Sequence, residues 1–149
     1  MEIMTICSGQ DRFILLDRIT QVRENTMVAE KTFAETPVWL GIESLAQLGA
    51  MHVRYVNQFS RHAMLLTIEE CGFNPGLELN GTYQLKGKQT SRSRYAYRYH
   101  LTALKNDQIV IHGRFLFATI TYDDQFDRNR LQSHYERLFT CLQSDIMTD

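Results

Sequence analysis

Pro37-Val38-Trp39-Leu40-Gly41-Ile42-Glu43-Ser44-Leu45-Ala46-Gln47-Leu48-Gly49-Ala50 is the stretch on which the reading of this chain turns. Pro37 fixes a φ angle and Gly41 permits a close backbone approach, so the residues before Ile42 read as a tight loop that opens a helix. From Ile42 to about Phe59 there is no proline, and Ile42, Leu45, Ala46, Gly49, Ala50 and Val53 recur at helical spacing. Ala46, Gly49 and Ala50 are small, and a stripe of small side chains lets a helix lie close to a flat partner. Glu43 and Gln47, four residues apart in the first turns, share one face. A carboxylate beside an amide at a helix N-terminus is the strongest chemical signal in the sequence.

Working outward, the partner is a sheet. Ahead of the helix, Arg12 to Ile19 is a short apolar run closed by the acid–base pair Asp17-Arg18, Thr20 to Asn25 is polar and extended, and Met27 to Phe33 reads as a returning strand. Behind it, Met64 to Ile68 is a compact apolar strand, and Asn74-Pro75-Gly76 is a turn. Thr82 to Thr90 is a long strand with Lys86 and Lys88 on one face. Arg94 to Lys105 alternates Tyr95, Tyr97, Tyr99 and Leu101 against Ala96, Arg98, His100 and Thr102, a period of two. After a turn at Lys105 to Gln108, Ile109 to Tyr122 is apolar on both faces, as a central strand would be. Asp127 is a candidate cap for a last helix, from Arg128 to about Ser144, striped by Leu131, Tyr135, Leu138, Phe139 and Leu142. The expected fold class is α+β: one domain over residues 1–149, with a long central helix held by a curved antiparallel sheet and a C-terminal helix added.

Composition narrows the function. A chain of 149 residues suits one domain, and 44% hydrophobic with 22% charged residues implies an ordinary packed core. The formal net charge of −1 argues against nucleic acid as the main partner. No apolar run is long enough to span a membrane, and Met1 to Gly9 lacks the pattern of a signal peptide. Cys7, Cys71 and Cys141 are scattered, odd in number and without metal-ligand spacing, which suits a reducing, cytoplasmic setting and no structural metal. No glycine-rich phosphate loop is present.

The local sequences resemble one family. Phe13-Ile14-Leu15-Leu16-Asp17-Arg18-Ile19 is similar to the P-F-L-L-x-D-R-V segment of the 3-hydroxyacyl-[acyl-carrier-protein] dehydratases, and Pro37 to Gln47 is similar to the P-x-W-x-G-I-E-x-x-A-Q variant of their central-helix start. The resemblance covers about Arg12 to Tyr122. It implies a hotdog fold that pairs through its sheet into a homodimer or higher even oligomer. It also implies an acyl chain carried on the phosphopantetheine of an acyl carrier protein or on coenzyme A, with no further cofactor. Carried over by residue, Glu43 is the family's helix carboxylate, Gln47 its neighbouring glutamine, and Gly41 the glycine whose N–H faces the thioester carbonyl. Thr32 stands where the family has a histidine that removes the substrate α-proton, and a threonine hydroxyl is too weak a base for that step.

Three functions follow from the resemblance: a dehydratase with a different base, a thioester hydrolase in which Glu43 activates water, or a non-catalytic acyl-binding or partner subunit. Glu30 and Glu35, ahead of the helix, are the candidate substitute bases, Glu35 the better placed of the two, against its plainer reading as a solvated loop residue. Of the five histidines, His52 falls on the helix face opposite Glu43, and ordinary core or surface roles are the simpler reading for each. Trp39, Phe33 and Phe13 are candidate lining for an acyl tunnel, or simply core aromatics. Lys86, Lys88, Arg92 and Arg94 concentrate positive charge that would attract an acidic carrier, or merely solvate a sheet.

Overall fold

A computed structural model describes residues 14–122 and 128–147. The elements run β1 (Arg18–Val22), β2 (Thr26–Pro37), α1 (Val38–Val56), β3 (His62–Phe73), β4 (Glu78–Arg92), β5 (Ala96–Lys105), β6 (Gln108–Ile120) and α2 (Arg128–Met147). The strands form one six-stranded sheet in the order β1-β2-β4-β5-β6-β3, with every pairing antiparallel. The long helix α1 packs against β2, β3, β4, β5 and β6. This is the hotdog arrangement expected from the sequence.

Period-two alternation decides which side chains meet the helix. Met27, Ala29 and Phe33 of β2, Tyr83 and Leu85 of β4, Tyr97, Tyr99 and Leu101 of β5, and Ile111, Phe115 and Phe117 of β6 are all buried. Their neighbours in sequence, among them Lys86, Lys88, His100 and Arg114, point to solvent. Asn106 and Asp107 adopt φ of 52° and 65°, which closes the β5–β6 hairpin with the backbone twist such turns favour. The turn at Asn74 is closed by the Asn74 carbonyl, which accepts from Leu77 N at 3.0 Å.

Four expectations need correction. The helix starts at Val38, a turn earlier than Ile42, because Pro37 leaves β2 with ψ 145° and needs no N–H at that position. The small-residue stripe is split. Gly49 faces the sheet, where a Cβ on it would lie 2.4 Å from the Phe117 ring, while Ala46 and Ala50 line a pocket on the other side. Strand β3 is twice the expected length and largely exposed, because it is the sheet's edge. Strand β6 is buried on its helix side only; Val110, Leu116 and Ile120 on its outer side are half-buried. Asp127 and Phe13 lie outside the described residues. Cys71 is a free, half-buried thiol, whereas Cys141 is held in a disulfide, so the cysteine count carries no argument about compartment. No helix of the described residues is long and apolar enough to cross a membrane.

Candidate functional site

A pocket of about 340 Å³ opens between α1, the chain leading into β1, and α2. Its α1 wall is Glu43, Ala46, Gln47, Ala50, Met51 and Arg54. At about 100° per residue, Glu43, Gln47, Ala50 and Arg54 fall on one stripe of the helix, on the side turned away from the sheet. The pocket floor and far wall are mainly apolar, with Ile14, Leu16, Leu65, Leu138 and Leu142. Volume and lining suit a small-molecule site, at the lower end of the usual ~300–1,000 Å³.

The structure therefore places Glu43 and Gln47 together, as their spacing required. Glu43 is exposed on the rim rather than buried. Gln47 Oε1 accepts from Leu15 N at 2.8 Å, which ties the segment before β1 onto the helix and closes that wall. The remaining candidates stand elsewhere. Gly41 is buried against Leu79 and Ile111. Because the helix starts early, its N–H is directed at the Pro37 carbonyl in the α-helical register, and the N–H groups left over at the start are those of Val38, Trp39 and Leu40. Trp39 is 62% exposed beside them. Phe33 is a core residue packed edge-on against Tyr83, with ring centroids 5.7 Å apart. Glu35 sits at a bulge in β2 with φ 47°, its N–H held by Asn80 Oδ1 at 2.7 Å and its side chain in solvent.

Thr32 is on the solvent side of β2. Its N–H donates to Asp17 Oδ2 at 2.7 Å and its hydroxyl meets the Thr82 hydroxyl at 2.8 Å, a cross-strand arrangement with a structural purpose. Asp17 also pairs with Lys31 Nζ at 3.1 Å. His52 is fully engaged against the sheet: Nε2 donates to the Arg23 carbonyl at 2.9 Å, so Nδ1 accepts from Tyr99 OH at 2.6 Å. Burial holds its pKa below the ordinary histidine value, with the Arg23 carbonyl acting the other way. On the outer face, Lys88, His100 and Arg114 are aligned across β4, β5 and β6, while Glu69 pairs with Arg98 at 2.7 Å. Arg92 and Arg94 lie over the rings of Tyr97 and Tyr95 at the β4–β5 turn.

Two pocket residues were not legible as site residues in the sequence. His134 comes from α2, and burial first, then the charges of Arg137, Arg54 and Arg130, depress its pKa, which keeps the imidazole neutral near pH 7. Arg54 is 6% exposed, and its guanidinium carbon lies 3.7 Å from the centroid of the Tyr135 ring. Both depend on α2 folding back over α1, about 80 residues away in the chain, which no local pattern announces. The spacing of Arg54 from Glu43, eleven residues or three helical turns, was the available signal. Among the described residues no group of three His, Cys, Asp or Glu side chains is placed to hold a metal ion.

No family profile matches the sequence, and no curated protein does. Solved structures match the fold. The dehydratase heterocomplex ApeI:P from Xenorhabdus doucetiae superposes with a TM-score of 0.65 at 13% identity, over 76% of this chain and 86% of that one. The thioesterase HI1161 from Haemophilus influenzae gives 0.64 at 11% identity, over 80% and 88%. A mutant of the thioesterase PA1618 from Pseudomonas aeruginosa gives 0.60 at 14% identity, over 70% and 81%. The chain is thus a hotdog-fold protein, similar in architecture to dehydratases and thioesterases alike.

Proposed function

We propose that this protein handles acyl thioesters, as a dehydratase of 3-hydroxyacyl chains presented by an acyl carrier protein or coenzyme A in fatty-acid or polyene-type lipid synthesis. The observation that carries this reading is the placement of Glu43 and Gln47 on the wall of a largely apolar pocket beside α1, in a fold shared with a dehydratase complex and with thioesterases. In this reading the free N–H groups of the first helical turn polarise the thioester carbonyl. The Glu43 carboxylate takes the α-proton in place of the missing histidine. The electron pair of that C–H bond forms the α,β double bond, and the β-hydroxyl departs as water with the same proton, returned by Glu43. Glu35 lies outside the pocket and has no part in this scheme.

Two surfaces support the expected partners. Lys86 and Lys88, on the outer face of β4, form a small basic patch suited to an acidic carrier, whereas Arg114 nearby is paired with Glu70 at 3.5 Å and Arg92, opposite Tyr97, lies on the helix side of the sheet. The edge strand β3 exposes Met64, Leu65, Leu66, Ile68 and Phe73 beside its unpaired backbone, a surface suited to a second copy. Leu66→Lys on that edge is expected to lower the mass seen by light scattering from a dimer to a monomer; an unchanged dimer refutes this interface.

A second reading is a catalytically silent partner subunit, as the heterocomplex among the similar structures suggests. Thr32 in the histidine's place favours it. Mass spectrometry of a 3-hydroxyacyl-carrier thioester incubated with the protein separates the two, with Glu43→Gln as the control. Loss of water that the substitution abolishes is the expected result. Release of a free acid points to hydrolysis, and an unchanged thioester with every carrier refutes the enzyme and leaves the subunit.

A further inference from the structure

The pocket is unequal along its length. From Glu43 to Arg54 the helix rises about 16 Å, eleven residues at ~1.5 Å each. Glu43 is exposed, Gln47 and Ala50 are half-buried, and Arg54 is almost wholly buried. The guanidinium at the inner end is poorly served. Nη2 donates to the Ala63 carbonyl at 3.1 Å, and Nε has no partner. Among the described residues no carboxylate pairs with it. The face of Tyr135 offsets part of the cost of burying the charge. The other titratable groups facing it add no negative charge: His62 and His134 are held neutral by burial and nearby positive charge, and the Tyr122 hydroxyl is kept protonated by burial. A buried cation without an anion is one of the least favourable arrangements a protein retains, and it persists where a ligand completes it.

We propose that this pocket binds an aliphatic chain ending in a carboxylate, with the carboxylate on the Arg54 guanidinium and the chain lying along Ala50, Met51, Ala46 and Leu142 toward the rim at Glu43. A planar guanidinium fork donates two parallel hydrogen bonds to a carboxylate, an arrangement an alcohol or an amide cannot reproduce. The apolar walls cover the chain, and the distance from the rim carboxylate of Glu43 keeps the two negative charges apart. The volume of about 340 Å³ limits the chain to medium length. The site shares a wall with the acyl-thioester site proposed above but needs no turnover. An inert Glu43 site with intact carboxylate binding refutes only the former, and turnover without carboxylate preference refutes only the latter.

Titration calorimetry with decanoate and decan-1-ol on the full chain tests the proposal. Decanoate is expected to bind at least tenfold more tightly than the alcohol. Arg54→Met is expected to remove that preference while unfolding at higher temperature than the parent, because it deletes an unpaired buried charge. Arg54→Lys, which keeps the charge without the fork, is expected to retain a reduced preference, and it carries the test if Arg54→Met does not fold. Equal affinities for acid and alcohol, or an undiminished preference in Arg54→Met, overturn the proposal. Decanoyl-pantetheine with and without a terminal carboxylate then separates a free acid from the far end of a thioester-bound chain: tighter binding of the carboxylated form assigns the latter, and equal binding of the two assigns the former.

Discussion

Tyr99→Phe tests whether the contact between helix and sheet is held by a specific polar network or by apolar packing alone. Tyr99 is fully buried, with its ring edge-on to His52 at 5.4 Å and to Phe117 at 5.5 Å. Phenylalanine keeps those ring contacts and removes only the hydroxyl. That hydroxyl donates to His52 Nδ1 at 2.6 Å and accepts from Gln89 Nε2 at 3.2 Å. Gln89 is half-buried and can turn to water. His52 is 1% exposed and cannot, and its other nitrogen is already committed to the Arg23 carbonyl. The expected cost is therefore that of one buried, unsatisfied acceptor, about 1–3 kcal/mol. For a chain of this size it corresponds to a melting temperature lower by about 4–8 °C at the middle of that range. Urea unfolding gives the direct reading, as a lower midpoint with an unchanged slope. The double variant Tyr99→Phe with His52→Leu is expected to cost less than the two single changes summed, because both ends of the bond are removed together. A Tyr99→Phe protein within about 0.5 kcal/mol of the parent would refute the network.

Two further predictions concern the same interface. Gly49→Ala places a methyl group 2.4 Å from the Phe117 ring, which is itself buried and stacked on Phe115, so the ring cannot swing aside. Overpacking of about 1–3 kcal/mol then meets or exceeds the ~1 kcal/mol that alanine gains over glycine in a helix; a variant more stable than the parent in urea contradicts the close approach. His52, His62 and His134 all have depressed pKa values, with burial the largest cause. The unfolded chain therefore takes up these protons first. Stability is expected to be full above about pH 6.5 and to fall as pH drops below it, with a slope of up to ~1.4 kcal/mol per pH unit from His52. Unfolding midpoints that stay level or rise from pH 7 to pH 5 would count against it.

The helix and the inner faces of β4, β5 and β6 were legible because periodicity is a local property: Leu45 to Val53 and Tyr97 to Leu101 repeat at spacings that only one backbone shape satisfies. The helix start is not legible locally because proline and glycine both suit a loop, whereas Pro37 caps the helix and Gly41 lies inside its first turn, where bulk would strike Leu79 and Ile111. The full length of edge strand β3 is hidden in the sequence because the polar pair Glu69-Glu70 interrupts its apolar run; an edge strand has no need to continue it. The candidate site was half legible. Glu43 and Gln47 announce themselves by helical spacing. Arg54 and His134 join them only when α2 packs across α1, through Tyr135 on Arg54 and Phe139 against Tyr55.

The two borders of the sheet differ in kind. β1 is five residues long and lies against α2, whereas β3 is twelve residues long and open, exposing Met64, Leu65, Leu66 and Ile68 ahead of the charged pair Glu69-Glu70. A molecule with two adhesive borders can add copies without end, and such growth ends in a fibre. With a single adhesive border, joined to its own equivalent across a two-fold axis, the first association consumes the only site available, and assembly by this route stops at two. In the dimer proposed above, the shielded short border would thus leave no second strand edge for further copies.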